Sequence, residues 1–233
     1  SLRPQRIAFS EHGFLVLEDL GPNGEDDEPD SLNWTAERIA NSLAQLHVAT
    51  FGKAQIYADM RQQQGLPAPM EDPRSYSLAG HRRRYRWGAA TIKDYCAILG
   101  VTVPASYHQH IDLIEADMEQ PGIFHCFVHD DLASVRQVIK RDAQLHLIDF
   151  ENAKFSHALL DLCKPLAGKF EMRLDTEEFF YAQPNFPLEF IDSYRRNLFL
   201  IGNISLDQAQ WDKAFSDALL YQCIALIGKL VDI

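Results

Sequence analysis

Two carboxylates, each following a short apolar run, carry the strongest chemical signal in this chain of 233 residues. Phe124-His125-Cys126-Phe127-Val128 leads into His129-Asp130-Asp131, and Leu145-His146-Leu147-Ile148 leads into Asp149-Phe150. Each run reads as a buried strand, which leaves the acid at its end little freedom. Asp149 lies 18 positions after Asp131 (149 − 131). That leaves room for a loop between two strands lying side by side. Such a site pairs one acid that takes up or orients a proton with one that grips a cation.

The elements that must hold this centre are mostly helical. An apolar run from Arg6 to Ser10 and another from Phe14 to Gly21 flank Glu11-His12-Gly13, a hairpin pattern. An acidic, Pro- and Gly-containing loop follows over 22–30, solvated by its composition. Residues 31–50 read as a helix on the spacing of Trp34, Ile39, Leu43, Leu46 and Val48, with Ser31 or Asn33 as cap and Gly52 beyond its end. His47 sits beside that apolar face and reads as a core or interhelix residue. Three prolines mark 66–73 as a connection. Helices are expected over 91–99 and 104–119, from 158 to 166 with Pro165 bending or ending it, and over 187–201 and 206–233. The stripes Phe190, Tyr194, Leu198, Ile201 and Trp211, Phe215, Leu219, Cys223, Leu226, Leu230 are expected to pack on each other. Phe179, Phe180 and Tyr181 lie in an irregular segment and read as core, with the lining of a ligand pocket as the alternative. The fold class is a mostly helical α+β domain.

Composition narrows the function classes. The formal net charge of −11 argues against nucleic acid as a partner, because phosphate binding needs a basic face. It suits a cationic substrate. The basic run His81-Arg82-Arg83-Arg84-Tyr85-Arg86-Trp87 is short, and it reads as a solvated helix face. Cys96, Cys126, Cys163 and Cys223 are far apart, so four buried thiols in a reducing cytoplasm are expected. No apolar run reaches about 18 residues, and no secretory leader pattern opens the chain. The expectation is a cytoplasmic protein without a membrane partner.

Phosphoryl transfer needs two differently placed acids. One accepts or orients the proton of the attacking hydroxyl, and the other grips magnesium bridging the phosphate oxygens. Kinases write these as H-R-D-x-x-x-x-N followed by D-F-G. With His129-Asp130-Asp131-Leu132 and Ile148-Asp149-Phe150-Glu151-Asn152-Ala153, the chain resembles the aminoglycoside phosphotransferase and choline kinase branch of the protein-kinase-like fold. That branch writes H-G-D-L-H-x-x-N and I-D-F-E-x-A. Val16-Leu17-Glu18-Asp19-Leu20-Gly21 resembles its hinge. Leu43-Ala44-Gln45-Leu46-His47 resembles its L-A-x-L-H helix, and Asp161-Leu162 the D-L pair opening its next helix. The resemblance implies ATP and magnesium as cofactors and a small hydroxyl-bearing molecule as substrate. It implies Asp131 as catalytic base, Asp149 as magnesium ligand and His129 as a brace beneath the loop. It also implies that Glu18, Asp19 and Leu20 bind adenine through their backbone. The chain would divide into 1–21, the last hairpin of the N-lobe with the hinge, and 22–233, a helical C-lobe.

The departures from that pattern shape the expectation. Arg136 stands where the branch has a magnesium-holding asparagine. A guanidinium donates only, so Arg136 would instead pair with Asp131, Asp149 or a phosphate. Asp130 replaces a glycine and Ala133 a histidine. No Gly-rich phosphate loop occurs, and no lysine precedes Lys53, so the N-lobe is expected to be largely absent. An uncovered hairpin then favours self-association. Three readings stay open: a small-molecule phosphotransferase, a degenerate relative that binds a ligand or partner without turnover, and chance convergence on an unrelated helical domain.

Overall fold

Apolar side chains at helical spacing dominate the chain, and helices dominate the fold. The computed structural model describes residues 6–9, 15–17, 36–65, 78–120, 122–132, 137–141, 144–167 and 186–231. Seven α-helices form among them: α1 (Ala36–Thr50), α2 (Ala54–Gln63), α3 (Leu78–Ile98), α4 (Tyr107–Glu119), α5 (Leu159–Ala167), α6 (Phe186–Gly202) and α7 (Gln208–Val231). The six described strands are β1 (Arg6–Phe9), β2 (Leu15–Leu17), β3 (His125–Val128), β4 (Val138–Arg141), β5 (Gln144–Leu147) and β6 (Lys154–His157). They pair as three antiparallel ribbons, β1 with β2, β3 with β6 and β4 with β5. The α+β class and the N-terminal hairpin are as the sequence predicts.

The strand pairing is not. The two acid-bearing runs do form strands, β3 and β5, but they do not pair with each other. Only residues 142–143 separate β4 from β5, so β5 closes a local ribbon whose register runs from Val138↔Leu147 to Arg141↔Gln144. A short ribbon loses less chain entropy on closing than a distant pairing. β3 takes β6 instead, with Val128 opposite Lys154 and His125 opposite His157. Nothing in the apolar pattern singles out Lys154–His157 as a strand, because its alternation is lost. All four of its residues are buried.

Helix packing also departs from the sequence reading. α7 packs chiefly on α3 and α5, and α6 packs on α1. α6 and α7 meet where the Arg195 guanidinium lies 5.3 Å over the Trp211 ring. Leu230 and Ile201 from the two expected stripes are exposed. α3 is one helix where two segments were expected, and it carries the basic run. That run is not simply solvated. Arg82 and Arg86 pair with Glu115 of α4, and Arg86 also with Asp112 at 2.6 Å. Tyr85 is fully buried and donates to the Ile111 carbonyl at 3.0 Å. α2 was not anticipated. Ile56 and Met60 are exposed and Arg61 is its one buried residue, so its burial does not follow its apolar residues. Cys126 and Cys163 are buried as expected, whereas Cys96 and Cys223 are half-buried; all four are free thiols. No helix among the described residues is long and apolar enough to cross a membrane.

The core sits between α1, α5, α6 and β3 on one side and α3 and α7 on the other. Two glycines allow the second contact. A Cβ placed on Gly88 would lie 1.8 Å from the Ile224 carbonyl oxygen, and one on Gly228 would lie 1.8 Å from that of Arg84. The α3 and α7 backbones therefore touch. On an exposed helix, Gly→Ala gains roughly 0.5–1 kcal/mol. Here Gly88→Ala is expected to cost about 2 kcal/mol or more, because a backbone rather than a side chain must move. A urea unfolding midpoint that stays level or rises in Gly88→Ala would refute this crossing.

Candidate functional site

The site is built from one loop, one turn and the first turn of α5. β3 ends at Val128, and the chain then bends through Asp130, which is left-handed at φ 59. That bend is held from α5. Asp161, with no exposure, accepts the His129 N–H and the Asp130 N–H, both at 2.7 Å, on its two carboxylate oxygens. It also accepts His47 Nε2–H at 3.1 Å. With that tautomer, His47 Nδ1 faces the Tyr194 hydroxyl at 2.6 Å. One carboxyl thus links α1, α5, α6 and the loop. His47 is the interhelix residue the sequence suggests, and Asp161 does more than open its helix.

The start of α5 has its own constraint. The Leu159 N–H donates to His157 Nδ1 at 3.2 Å, so this nitrogen must be unprotonated. Burial is the largest influence on His157, and it lowers its pKa to about 3.

The turn after β5 stands against the loop at three points. His129 Nε2–H donates to the Ile148 carbonyl at 2.6 Å, and the His129 ring lies 4.8 Å from that of Phe150. Asn152 donates to Asp131 Oδ2 at 3.2 Å. The structure therefore brings the two acid-bearing segments together, although their strands do not pair. His129 sits beneath the loop, fully buried. Asp149 is exposed and left-handed, with φ 64 and ψ 53. This backbone costs a non-glycine residue roughly 1–2 kcal/mol, less for aspartate, which tolerates it better than most. The Asp149 side chain makes no capping bond to the 3-10 turn Phe150–Asn152. Glu18, Asp19, Leu20 and Arg136 lie outside the described residues, as do Ser31, Asn33 and Phe179 to Tyr181.

Electrostatics separates the acids. Asp131 is half-buried. Burial pushes its pKa above the ordinary value; the Lys164 and His129 charges oppose this, and Asp130 adds to it. A raised carboxyl is the kind that can take up a proton. Asp130 goes the other way. Burial alone would raise it, yet the facing His81, Lys154 and Lys164 outweigh burial and hold it well below the usual carboxylate range. Its Oδ2 is ion-paired with Lys154 Nζ and lies 3.2 Å from His81 Nε2. Burial brings His81 down to about 4, with Asp130 opposing. Sequence reasoning missed Lys154, His81, Asn152 and Tyr194. His81 opens a basic run and Lys154 follows no apolar alternation, so neither reveals its partner.

Asp149 is an exposed carboxylate of the kind that magnesium accepts, and among the described residues no group of three or more His, Cys, Asp or Glu gathers as a metal site. Among the described residues its carboxylate makes no hydrogen bond or ion pair, and magnesium is typically held by one or two carboxylates with phosphate and water completing the shell. A separate cleft of about 460 Å³ between α6 and α7 is lined by Arg195, Phe199, Ile204, Leu206 and Trp211 among others. None of the acids described above lines it, so it takes no part in this site.

No protein-family model and no curated protein matches the sequence. Solved structures do. A Plasmodium vivax ethanolamine kinase matches with a TM-score of 0.56 at 14% identity, over 97% of this chain and 59% of that one. A choline kinase from Cryptosporidium parvum matches with a TM-score of 0.50 at 16% identity, over 97% of this chain and 66% of that one. The chain has the kinase-like fold of these structures and spans 59% and 66% of their lengths.

Two outcomes are expected from this geometry. Asp161→Asn turns an amide N–H toward at least one of three donors, and should lower stability by about 2–4 kcal/mol in guanidinium unfolding. Second, His81 and His157 stay neutral in the folded chain well below 6.5, whereas the unfolded chain binds protons there. The unfolded state then holds more protons, so stability falls as pH drops from about 6.5 toward 5. The slope should approach one proton for each histidine, and replacing His157 by Gln should remove its share. A flat profile across that window would show that these side chains are not buried neutral.

Proposed function

We propose that the chain forms the acceptor-phosphorylating part of a small-molecule kinase. Its reaction is transfer of the ATP γ-phosphoryl group to the hydroxyl of a small amine. The observation that carries this reading is the pairing of unlike acids. Asp131 has a raised pKa and is tied by Asn152 to the turn that presents the exposed carboxylate of Asp149. The kinase-like fold supports it, as does the order of the motifs. The net charge of −11 favours a cationic acceptor. The two neighbouring structures are an ethanolamine kinase and a choline kinase by name, which makes an amino alcohol the first acceptor to try.

In this reading the acceptor hydroxyl lies against Asp131. Its oxygen bonds to the γ-phosphorus while the bond from that phosphorus to the β,γ-bridging oxygen breaks, and ADP leaves. The hydroxyl proton passes to Asp131. Asn152 and the Asp161-held amides keep Asp131 in place during this step, and positioning of this kind accounts for much of the catalysis in phosphoryl transfer. Asp149 would hold the magnesium, which would neutralise charge on the phosphate. Glu18 to Leu20 would receive the adenine.

Arg136 favours a second reading, in which nucleotide binds and nothing turns over. A fixed positive charge at the position of a metal-holding asparagine repels a cation. Calorimetric titration with ATP, with and without magnesium, separates the two. The kinase reading expects magnesium to tighten ATP binding and Asp149→Asn to lose at least about tenfold of that gain. Asp131→Asn should keep ATP binding and lose ADP formation with ethanolamine or choline. Arg136→Asn should raise magnesium affinity. ATP binding without any magnesium dependence in the parent chain would leave the binding-only reading standing.

A further inference from the structure

One buried carboxylate in the loop has no part in that reaction. Asp130 is 2% exposed and immediately precedes Asp131. Its peptide N–H is bonded to Asp161 and its backbone is left-handed, a conformation in which glycine carries no Cβ penalty. Three elements send charge or hydrogen-bonding groups to its side chain. Lys154 from β6 is ion-paired to Oδ2, His81 from α3 places Nε2 3.2 Å from the same oxygen, and Lys164 of α5 faces it electrostatically. Lys154 and His81 are themselves 5% and 7% exposed. Asp130 Oδ1 and His81 Nδ1 are buried without a hydrogen-bond partner.

The strand register explains how Lys154 gets there. It stands opposite Val128, the last residue of β3, two positions before Asp130. The same amine could not reach this carboxylate if β3 paired with β5. Holding Asp130 at both its N–H and its side chain fixes φ and χ1 of this residue and so restricts the peptide that joins it to Asp131. Rotation about that peptide is the motion that would swing Asp131 out of its half-buried place.

We propose that Lys154 is a positioning residue for Asp131, acting through Asp130. The two form a unit that works when both are present or both are absent. The proposal rests on the reading of Asp131 as proton acceptor. A buried ion pair adds little net stability over an apolar pair of the same shape, but removing one partner strands a charge. Asp130 and Lys154 therefore do with a side chain what a glycine in this conformation does with none.

The test compares the parent chain with Lys154→Met and with Asp130→Gly/Lys154→Met. Amide hydrogen exchange and the carbon-13 titration of the Asp131 carboxyl are followed by NMR. Lys154→Met should speed exchange at the His129 and Asp130 amides by about 100-fold, while α3 and α7 core amides change by less than about tenfold. Asp131 should then titrate nearer the ordinary value of about 3.9. The double variant should return exchange at the His129 amide to the parent's, and its Asp131 should lose only the Asp130 contribution. If Lys154→Met does not fold, the double variant alone decides. It must fold with the parent's exchange rate at the His129 amide, and faster exchange there overturns the proposal. Uniformly faster exchange in Lys154→Met with Asp131 unmoved would leave the pair merely structural and also overturn it. Calorimetry of ATP and magnesium on the same parent sample reports on the kinase reading separately, because the NMR readouts need no nucleotide.

Discussion

The Asp161 carboxyl is the constraint on which the rest depends. It is buried without exposure, and a polar group in that position is tolerated only if its hydrogen bonds are made. Three donors make them, two from the loop backbone and one from His47. Because the donors sit on different elements, satisfying one carboxyl fixes their relative placement. α1 is drawn in through His47, α6 through Tyr194 behind it, and the loop through its own amides. The helix that carries Asp161 starts where His157 accepts the Leu159 N–H, and His157 ends the strand that pairs with β3. The loop and its anchor therefore grow from the two partners of one ribbon.

Around that anchor the two candidate acids are differentiated by surroundings rather than by type. Asp131 is half-buried and pushed up, while Asp149 stands exposed on a left-handed turn. Asp130 has the least water and nevertheless keeps its charge, because cationic groups face it from β6 and α5 and a histidine from α3. Among the described residues, two of the three non-glycine residues with positive φ are Asp130 and Asp149. Strained backbone collects where the surrounding structure over-determines it, and here it marks the two ends of the site.

Much of this was legible beforehand. The helical stripes of α1, α4, α6 and α7 are written in the sequence with boundaries close to those observed, and the strands ending before Asp130 and Asp149 could be read as apolar runs. His47 as an interhelix residue also followed from its place beside an apolar face. Other features left no trace. α2 leaves Ile56 and Met60 exposed and buries Arg61, so its apolar residues do not report its packing. β6 is buried on both sides and so lacks alternation. Gly88 looks like a helix breaker until the close approach of α7 explains it. The basic run of α3 looks solvated because its partners, Glu115 and Asp112, lie on another helix.

The amino-acid sequence by itself determined the helical character, the two acid-bearing segments and the kinase-like order of motifs. These rest on periodicity and on short spacings, which one chain segment carries alone. Tertiary structure decided that β3 pairs with β6 rather than β5, and that α7 lies on α3 and α5 rather than on α6. It also placed Lys154 and His81 on Asp130, and Asn152 on Asp131. Each of these depends on which burial partner is reached first and satisfied best in three dimensions. A local pattern records that a residue is to be buried, and does not record against what.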